Sequence, residues 1–199
     1  MQQMWNERYQ KNPNAYGTKP NEFFKDFLET CEKWRLLLPG DGEGRNAVYA
    51  ALQGYRVDSF DYSEKAVEHA RELARKHNVD INCFQADLMS YEGKTGYYDT
   101  VAAIYVHLPS EMRKVAHKHF VEALKPGGHL LMEVFAKEQL EYKTGGPGDE
   151  DMLYDLDEFE QEFKDLEILF LEKMEIELDE GEFHRGRACA IRFIGRKKE

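Results

Sequence analysis

Cysteine is scarce. The three in 199 residues, Cys31, Cys83 and Cys189, lie far apart and make no Cys-x-x-Cys pair, so no disulfide framework or zinc knuckle is readable and a reducing compartment fits. Positive charge is also short. Lys plus Arg number 27 against 38 Asp plus Glu, a net charge of −11 at pH 7. That field repels phosphate backbones and works against nucleic-acid or anionic-membrane binding, while it draws in a cationic small ligand. No apolar run approaches the roughly 18 to 20 residues of a membrane span. The start, Met1-Gln-Gln-Met-Trp-Asn-Glu-Arg8, has no signal core, so the expected setting is the cytoplasm. Internal repeats, low-complexity linkers and metal-ligand spacings are lacking too. What is present, 42% hydrophobic and 33% charged residues, suits a single domain over residues 1–199 with no metal site.

Behind a polar amino-terminal arm of residues 1–20, Asn21 precedes Phe23, Phe24, Phe27 and Leu28 at helical spacing. Short apolar runs then appear at Arg35 to Leu38, Arg56 to Phe60, Ile81 to Phe84, Thr100 to Val106 and His129 to Phe135, with helical patterns between several of them. The clearest helix carries Ala66, Val67, Ala70, Leu73 and Ala74 on one face, opens at the capping candidate Ser63 and stops near Asn78. Another begins at Ser110 and ends towards Pro126-Gly127-Gly128. A short helix is expected from about Asp155 to Phe163, then a hairpin of Leu166 to Leu178 and Ala188 to Ile194. The acidic run Asp149-Glu150-Asp151 reads as solvent-facing and Arg196 to Glu199 as a frayed tail. The alternation predicts an α/β fold, a Rossmann-like open twisted sheet, mostly parallel with a carboxy-terminal antiparallel hairpin and helices on both faces. Such sheets bind ligands at the carboxyl ends of their strands.

The run Leu36-Leu-Leu-Pro-Gly40-Asp-Gly42-Glu-Gly44-Arg-Asn46 reads as a buried strand entering a glycine turn and then a helix. Asp61, ending the next strand 21 residues after Gly40, stands where a carboxylate meets ribose hydroxyls. Together they describe a nucleoside site. A dinucleotide site wants Gly-x-Gly-x-x-Gly, whereas position 45 is Arg and the loop carries Asp41 and Glu43. Those acids oppose a pyrophosphate and favour a nucleoside with a cationic centre, which S-adenosylmethionine is.

On these residues the chain resembles the class I S-adenosylmethionine-dependent methyltransferases, within them the tellurite-resistance and thiopurine-type small-molecule group. Further matching pieces are Trp5-Asn-Glu-Arg-Tyr9, Tyr16-Gly17-Thr-Lys-Pro, Phe60-Asp-Tyr-Ser63, Ala86-Asp-Leu88, His107-Leu-Pro109, Leu124-Lys-Pro-Gly-Gly128 and Thr144-Gly-Gly-Pro147. One departure is Leu38, at a position where many members carry an acid. The resemblance implies Gly40 and Gly42 under the cofactor, with Asn46 beside them, Asp61 on the ribose, Asp87 on the adenine amino group and Leu88 contributing backbone. It lays Tyr9, Tyr16 and Gly17 over the methionine end as a lid, and it points to a small acceptor such as a thiol or a chalcogen oxyanion. Each position has a plainer alternative: a helix-capping acid at 61, ordinary turns at 40, 42 and 87, and simple docking of the arm.

Tyr62 is placed to stack on adenine, or to be a partly exposed core tyrosine. Tyr105 and His107 end the fourth strand and are expected at the mouth where the methyl group is presented. The hairpin turn leaves a strand parallel to the others, so His184, Arg185 and Arg187 are expected on the same edge. There His184 would take a proton and Arg185 would hold an anionic acceptor, the alternative being a solvated turn. The function expected is methyl transfer by in-line displacement, leaving S-adenosylhomocysteine. The rivals are a non-catalytic cofactor sensor and an NAD-dependent dehydrogenase. A small molecule is the expected partner, with no nucleic acid and no membrane, and the protein is expected as a monomer or homodimer.

Overall fold

Seven strands lie in the order β3-β2-β1-β4-β5-β7-β6 in the computed structural model, which describes residues 2–32, 34–91 and 93–199. They are β1 (Arg35–Pro39), β2 (Arg56–Asp61), β3 (Asn82–Gln85), β4 (Tyr98–Ile104), β5 (Leu124–Phe135), β6 (Leu166–Asp179) and β7 (Arg185–Lys197). The first five pair in parallel, and β7 runs antiparallel to both β5 and β6. Because strand side chains alternate between faces, each apolar run feeds two cores. Leu37, Val101, Ala103, Leu130 and Met132 pack beneath α5 (Ser110–Ala123) and α7 (Leu156–Glu162). Leu36, Leu38, Ala102 and Leu131 pack beneath α2 (Glu22–Thr30) and α3 (Arg45–Leu52). Leu38 is thus a core residue, 1% exposed.

The helix ends follow their capping chemistry. Asn21 accepts from Phe24 N–H to open α2, and Ser63 accepts from Ala66 N–H to open α4 (Glu64–His77). Asn78 closes α4 in the left-handed region at φ 57°. Asp155 and Glu158 form a capping box on α7.

Several expectations need correction. The polar arm is a helix over much of its length, α1 (Gln2–Lys11), whose single buried residue is Tyr9. The helix opening at Ser110 stops at Ala123, and Leu124-Lys-Pro-Gly-Gly128 already belongs to β5. Asp151 does not merely face solvent: its Oδ2 accepts from Ser110 N–H at 3.1 Å, a cap for α5 that Pro109 does not supply. Nor is the tail frayed at its start, since β7 runs to Lys197 and that ammonium donates to the Val121 and Leu124 carbonyls. Sequence reading missed the short α6 (Gln139–Tyr142). No helix among the described residues is long and apolar enough to cross a membrane.

Candidate functional site

Where β1 ends, the chain turns through Gly40 to Gly44 and enters α3, and β2 ends beside it at Asp61. Gly42 N–H donates to Asp61 Oδ2 at 3.0 Å, and Ser63 N–H donates to Oδ1 at 2.8 Å. Burial pushes the Asp61 carboxyl up to about 6 against the pull of these backbone donors. Each oxygen keeps a lone pair for a further hydroxyl donor. Gly42 has φ +61°, and a Cβ there would lie 2.8 Å from Tyr9 Oη, so only bare main chain fits beneath the arm.

The loop acids do not simply present charge to a ligand. Asp41 turns inward and its Oδ2 accepts from Ala47 N–H at 3.2 Å, capping α3, whose N-cap Gly44 has no side chain to do so. Burial raises this carboxyl to about 7, and its Oδ1 has no partner. A helix start already capped by a carboxylate has no room for a pyrophosphate. Glu43 instead accepts from Asn14 N–H at 2.9 Å and meets His69 Nδ1 at 2.7 Å, tying the arm to α4. Asn46 is buried and its Oδ1 accepts from Asn21 N–H at 2.9 Å. Its carbonyl oxygen therefore serves α2.

Asp87 follows β3 and accepts from Met89 N–H through Oδ1, leaving Oδ2 open; the Leu88 carbonyl meets His119 Nδ1 at 3.1 Å. Tyr62 is partly exposed, and its ring has no aromatic partner among the described residues.

The arm and the hairpin turn close over this edge. Ser63 Oγ–H donates to Asn6 Oδ1 at 2.6 Å, holding α1 on α4. Ring centroids run from Trp5 to Tyr9 (5.8 Å), Tyr9 to Tyr16 (6.3 Å), Tyr16 to His184 (4.7 Å), His184 to Tyr105 (4.7 Å) and Tyr105 to Phe135 (4.7 Å). Arm and turn meet backbone to backbone: a Cβ on Gly181 would lie 2.4 Å from Gly17 N and 2.6 Å from Ala15 O. The topology thus brings Tyr9, Tyr16, Gly17, Gly42, Tyr105 and His184 to one edge.

His107 stacks on Phe135 at 5.4 Å, accepts from Phe135 N–H through Nε2 at 3.3 Å, and sets Nδ1 3.0 Å from the Met152 carbonyl. Both ring nitrogens are committed, and burial holds its pKa down to about 4. His184 is buried, with Nδ1 unpartnered and 3.7 Å from Glu180 Oε2. Arg185 lies exposed at the start of β7, outside this buried group.

Sequence reading missed the polar ladder beneath these rings. Glu133, fully buried, accepts from Asn21 Nδ2 (2.6 Å), Tyr105 Oη (2.5 Å) and Arg192 Nε (2.5 Å). Glu180 accepts from Asn21 Nδ2 (2.9 Å) and Arg45 (2.8 Å). Tyr105 is held at φ +54°, rare for a non-glycine residue. The available signal was Glu133 itself, a lone charge within Leu130-Leu-Met-Glu-Val-Phe135.

Residues 37–128, the glycine loop through β5, match the family model for a methyltransferase domain. Over this segment, just under half of the chain, the protein is similar to methyltransferase domains, whose cofactor is S-adenosylmethionine. Over 108 residues the chain is 27% identical to the probable S-adenosyl-L-methionine-dependent methyltransferase TehB of Haemophilus influenzae, covering 54% of this chain and 38% of that protein. With the ubiquinone biosynthesis O-methyltransferase of Rickettsia akari it shares 28% over 115 residues, 57% of this chain and 45% of that one. The chain thus spans less than half the length of these curated relatives. The solved structure of H. influenzae TehB superposes with TM-score 0.76 at 21% identity over 98% of this chain and 67% of that one, which shows the shared fold. The geometry of the loop fits S-adenosylmethionine: bare main chain at Gly42, a carboxylate at Asp61 with spare acceptors, and the loop's own Arg45 held by Glu180 and so not offered to a phosphate.

Proposed function

We propose that this chain binds S-adenosylmethionine at the carboxyl edge of β1 and β2 and transfers its methyl group to a small-molecule acceptor. The observation that carries the reading is the half-buried Asp61 carboxylate, joined to Gly42 N–H and free of any cationic partner among the described residues. In this reading Asp61 receives the ribose hydroxyls, Gly40 and Gly42 pass under the adenosyl group, and Asp87 Oδ2 with the Leu88 backbone takes the adenine edge beside Tyr62. Tyr9, Tyr16 and Gly17 close over the methionine end, and Asn46 acts indirectly by anchoring Asn21.

The bound cofactor supplies an activated methyl on a sulfonium centre. The protein's share is to exclude water and align the acceptor within about 3 to 3.5 Å of that methyl, which requires no covalent intermediate. Tyr105, Phe135, Tyr16 and His184 supply the aromatic enclosure. His107 has no free lone pair and serves to shape the turn after β4. Arg185 at the rim is available to an acceptor's anionic part. The net charge of −11 favours a cationic cofactor and disfavours nucleic acid as substrate. We read the chain as one cytoplasmic domain with a lid, monomeric or dimeric, taking a thiol or chalcogen species.

The test is calorimetry with S-adenosylhomocysteine and NADH, followed by a panel of thiols, oxyanions and amines scored by released S-adenosylhomocysteine. Binding of the adenosyl ligand with turnover of at least one acceptor is the expected result. Binding without turnover across the panel would favour a sensor, and preferential binding of NADH would reject the reading.

A further inference from the structure

The unpartnered nitrogen of His184 sits beside a carboxylate that is itself unusually well fixed. Glu180 closes β6 and His184 precedes β7, so the hairpin turn sets the two four residues apart, with the Glu180 N–H donating to the His184 carbonyl at 2.9 Å. Glu180 receives Arg45 on Oε2 and Asn21 on Oε1. Burial would raise its pKa, but His184, Arg45 and Asn21 together bring it down to about 2, so it stays ionised. His184 Nδ1 lies 3.7 Å from Oε2 and has no other partner. Catalytic hydrogen bonds are often this long before ligands are in place. On the far side of the ring the chain passes at Gly145, where an added Cβ would stand 2.8 Å from Cδ2 and 3.5 Å from Nε2. The absence of a side chain there keeps Nε2 approachable.

We propose that Glu180 is a positioning residue for His184: it holds the imidazole in the Nδ1–H tautomer and leaves the Nε2 lone pair to take a proton from a neutral, protic acceptor. This rests on the methyl-transfer reading. As the bond between acceptor and methyl forms and the sulfonium–methyl bond breaks, the electron pair of the broken bond returns to the cofactor's sulfur. The acceptor's proton goes to Nε2 and from there to solvent. The charged and titratable groups facing His184 are Glu180 on its own turn, Arg45 from α3, Glu133 from β5, Tyr105 and His107 from the β4 end, and Tyr16 from the arm. The buried arginines near the ring are committed, Arg45 to Glu180 and Arg192 to Glu133, and Arg8 donates to Tyr16 Oη at 3.0 Å. The enclosure itself is therefore aromatic with a neutral base, its buried arginines committed and Arg185 left at the exposed rim, which suits a neutral protic group beside the methyl. Burial lowers the pKa of His184, so the proton it takes must be fairly acidic; a thiol near 8.5 is within reach and an alcohol is not.

Two readouts test the pair. The first is the ring ¹⁵N spectrum of His184 in the full chain, with and without S-adenosylhomocysteine. Nδ1 protonated and Nε2 bare is the expected state, and Glu180→Gln should move the His184 titration to lower pH. The second compares 2-mercaptoethanol, which carries its proton at pH 7, with thiophenol, which is largely ionised there. Glu180→Gln should lower the ratio of the two turnover rates at least tenfold and shift the acid limb of the mercaptoethanol pH profile. An Nε2–H tautomer in wild type, or an unchanged ratio in a Glu180→Gln variant that is folded at the assay temperature and keeps its S-adenosylhomocysteine affinity, overturns the pair. Loss of S-adenosylhomocysteine binding by wild type would instead reject the methyl-transfer reading, while the ¹⁵N spectrum of the free protein still decides the tautomer.

Discussion

Arg45 NH2 lies 2.8 Å from Glu180 Oε2 in a buried ion pair that joins the first turn of α3 to the end of β6. Position 45 is where a dinucleotide fingerprint would have its third glycine, so the residue that departs from that fingerprint is also the one that fastens the hairpin to the cofactor loop. Removing one member leaves a buried charge without its partner, which costs about 3 to 5 kcal/mol, whereas replacing both with apolar residues of similar volume is often neutral. Arg45→Met alone should therefore lower stability by about that amount, and Arg45→Met with Glu180→Leu should recover most of it. Urea denaturation of the three proteins at pH 7.5 is the measurement. Equal stability of single variant and wild type would show that the pair contributes nothing net.

A second prediction concerns Asp61 and pH. Its carboxyl is raised to about 6 by burial, so acidification through that value protonates the group. A protonated carboxyl has lost acceptor capacity for the ribose hydroxyls and its charge toward a cationic ligand. Affinity for S-adenosylhomocysteine should fall between pH 7.5 and 5, and affinity for S-adenosylmethionine should fall further. In the free protein the sign is reversed. A carboxyl with a raised folded pKa contributes stability below its unfolded value near 3.8 that is lost as pH rises through about 6. Asp61→Ala should weaken binding by about 10- to 100-fold, the worth of one charge-assisted pair of hydrogen bonds. Calorimetry at both pH values checks both statements, and a pH-independent affinity in wild type would sink the first.

A third prediction isolates the lid. A Cβ on Gly181 meets backbone at Gly17 and Ala15, and the residue sits at φ +82°, so Gly181→Ala must push arm and turn apart. The sheet beneath owes little to this contact. Amide exchange over residues 2–20 should accelerate markedly while the strands of β1, β4 and β5 keep their protection. Adenosyl-ligand affinity should drop by about tenfold through the lost cover over Gly42. Unchanged exchange in the arm would place its anchorage elsewhere, at Asn6 with Ser63 and Glu43 with Asn14.

The sheet was legible because parallel strands buried on both faces read as continuous apolar runs, and Ser63, Asn78 and Asn21 announced helix ends by their own chemistry. The glycine turn and Asp61 were legible for the same reason: each residue type was needed locally. What escaped depends on distant partners. Gln2 to Lys11 carries little apolar stripe, and α1 is fixed by Tyr9 and Asn6 reaching α4 and the loop. Asp41 and Glu43 read as charges facing a ligand, yet they cap α3 and hold the arm, functions that only the folded geometry assigns. Glu180 sat inside an acidic turn, Asp179-Glu-Gly-Glu182, with no local sign that Arg45 and Asn21 converge on it. His107 was expected among the catalytic groups by its place after β4, and only the positions of Met152 O and Phe135 N–H reveal that both nitrogens are taken.

That commitment of His107 gives the last prediction. Its folded pKa is held down to about 4 by burial, against 6.5 for the free side chain. The unfolded chain takes up a proton near pH 6.5 that the folded protein refuses until about 4, so the stabilisation present above pH 6.5 is lost as pH falls through this window. His107→Asn removes the titrating group and should flatten the fall in stability between pH 6.5 and 4, while costing about 1 to 3 kcal/mol at pH 7.5 through the loss of two buried hydrogen bonds. If His107 were instead the proton acceptor of the reaction, the variant would erase the acid limb of the turnover profile. With Nε2 already accepting from Phe135 N–H, the limb should persist in His107→Asn and vanish in His184→Asn. Urea denaturation at pH 5 and 7.5, with pH profiles of both variants, separates the two histidines. A wild-type stability slope matched by His107→Asn would show that this imidazole is not held neutral by the fold.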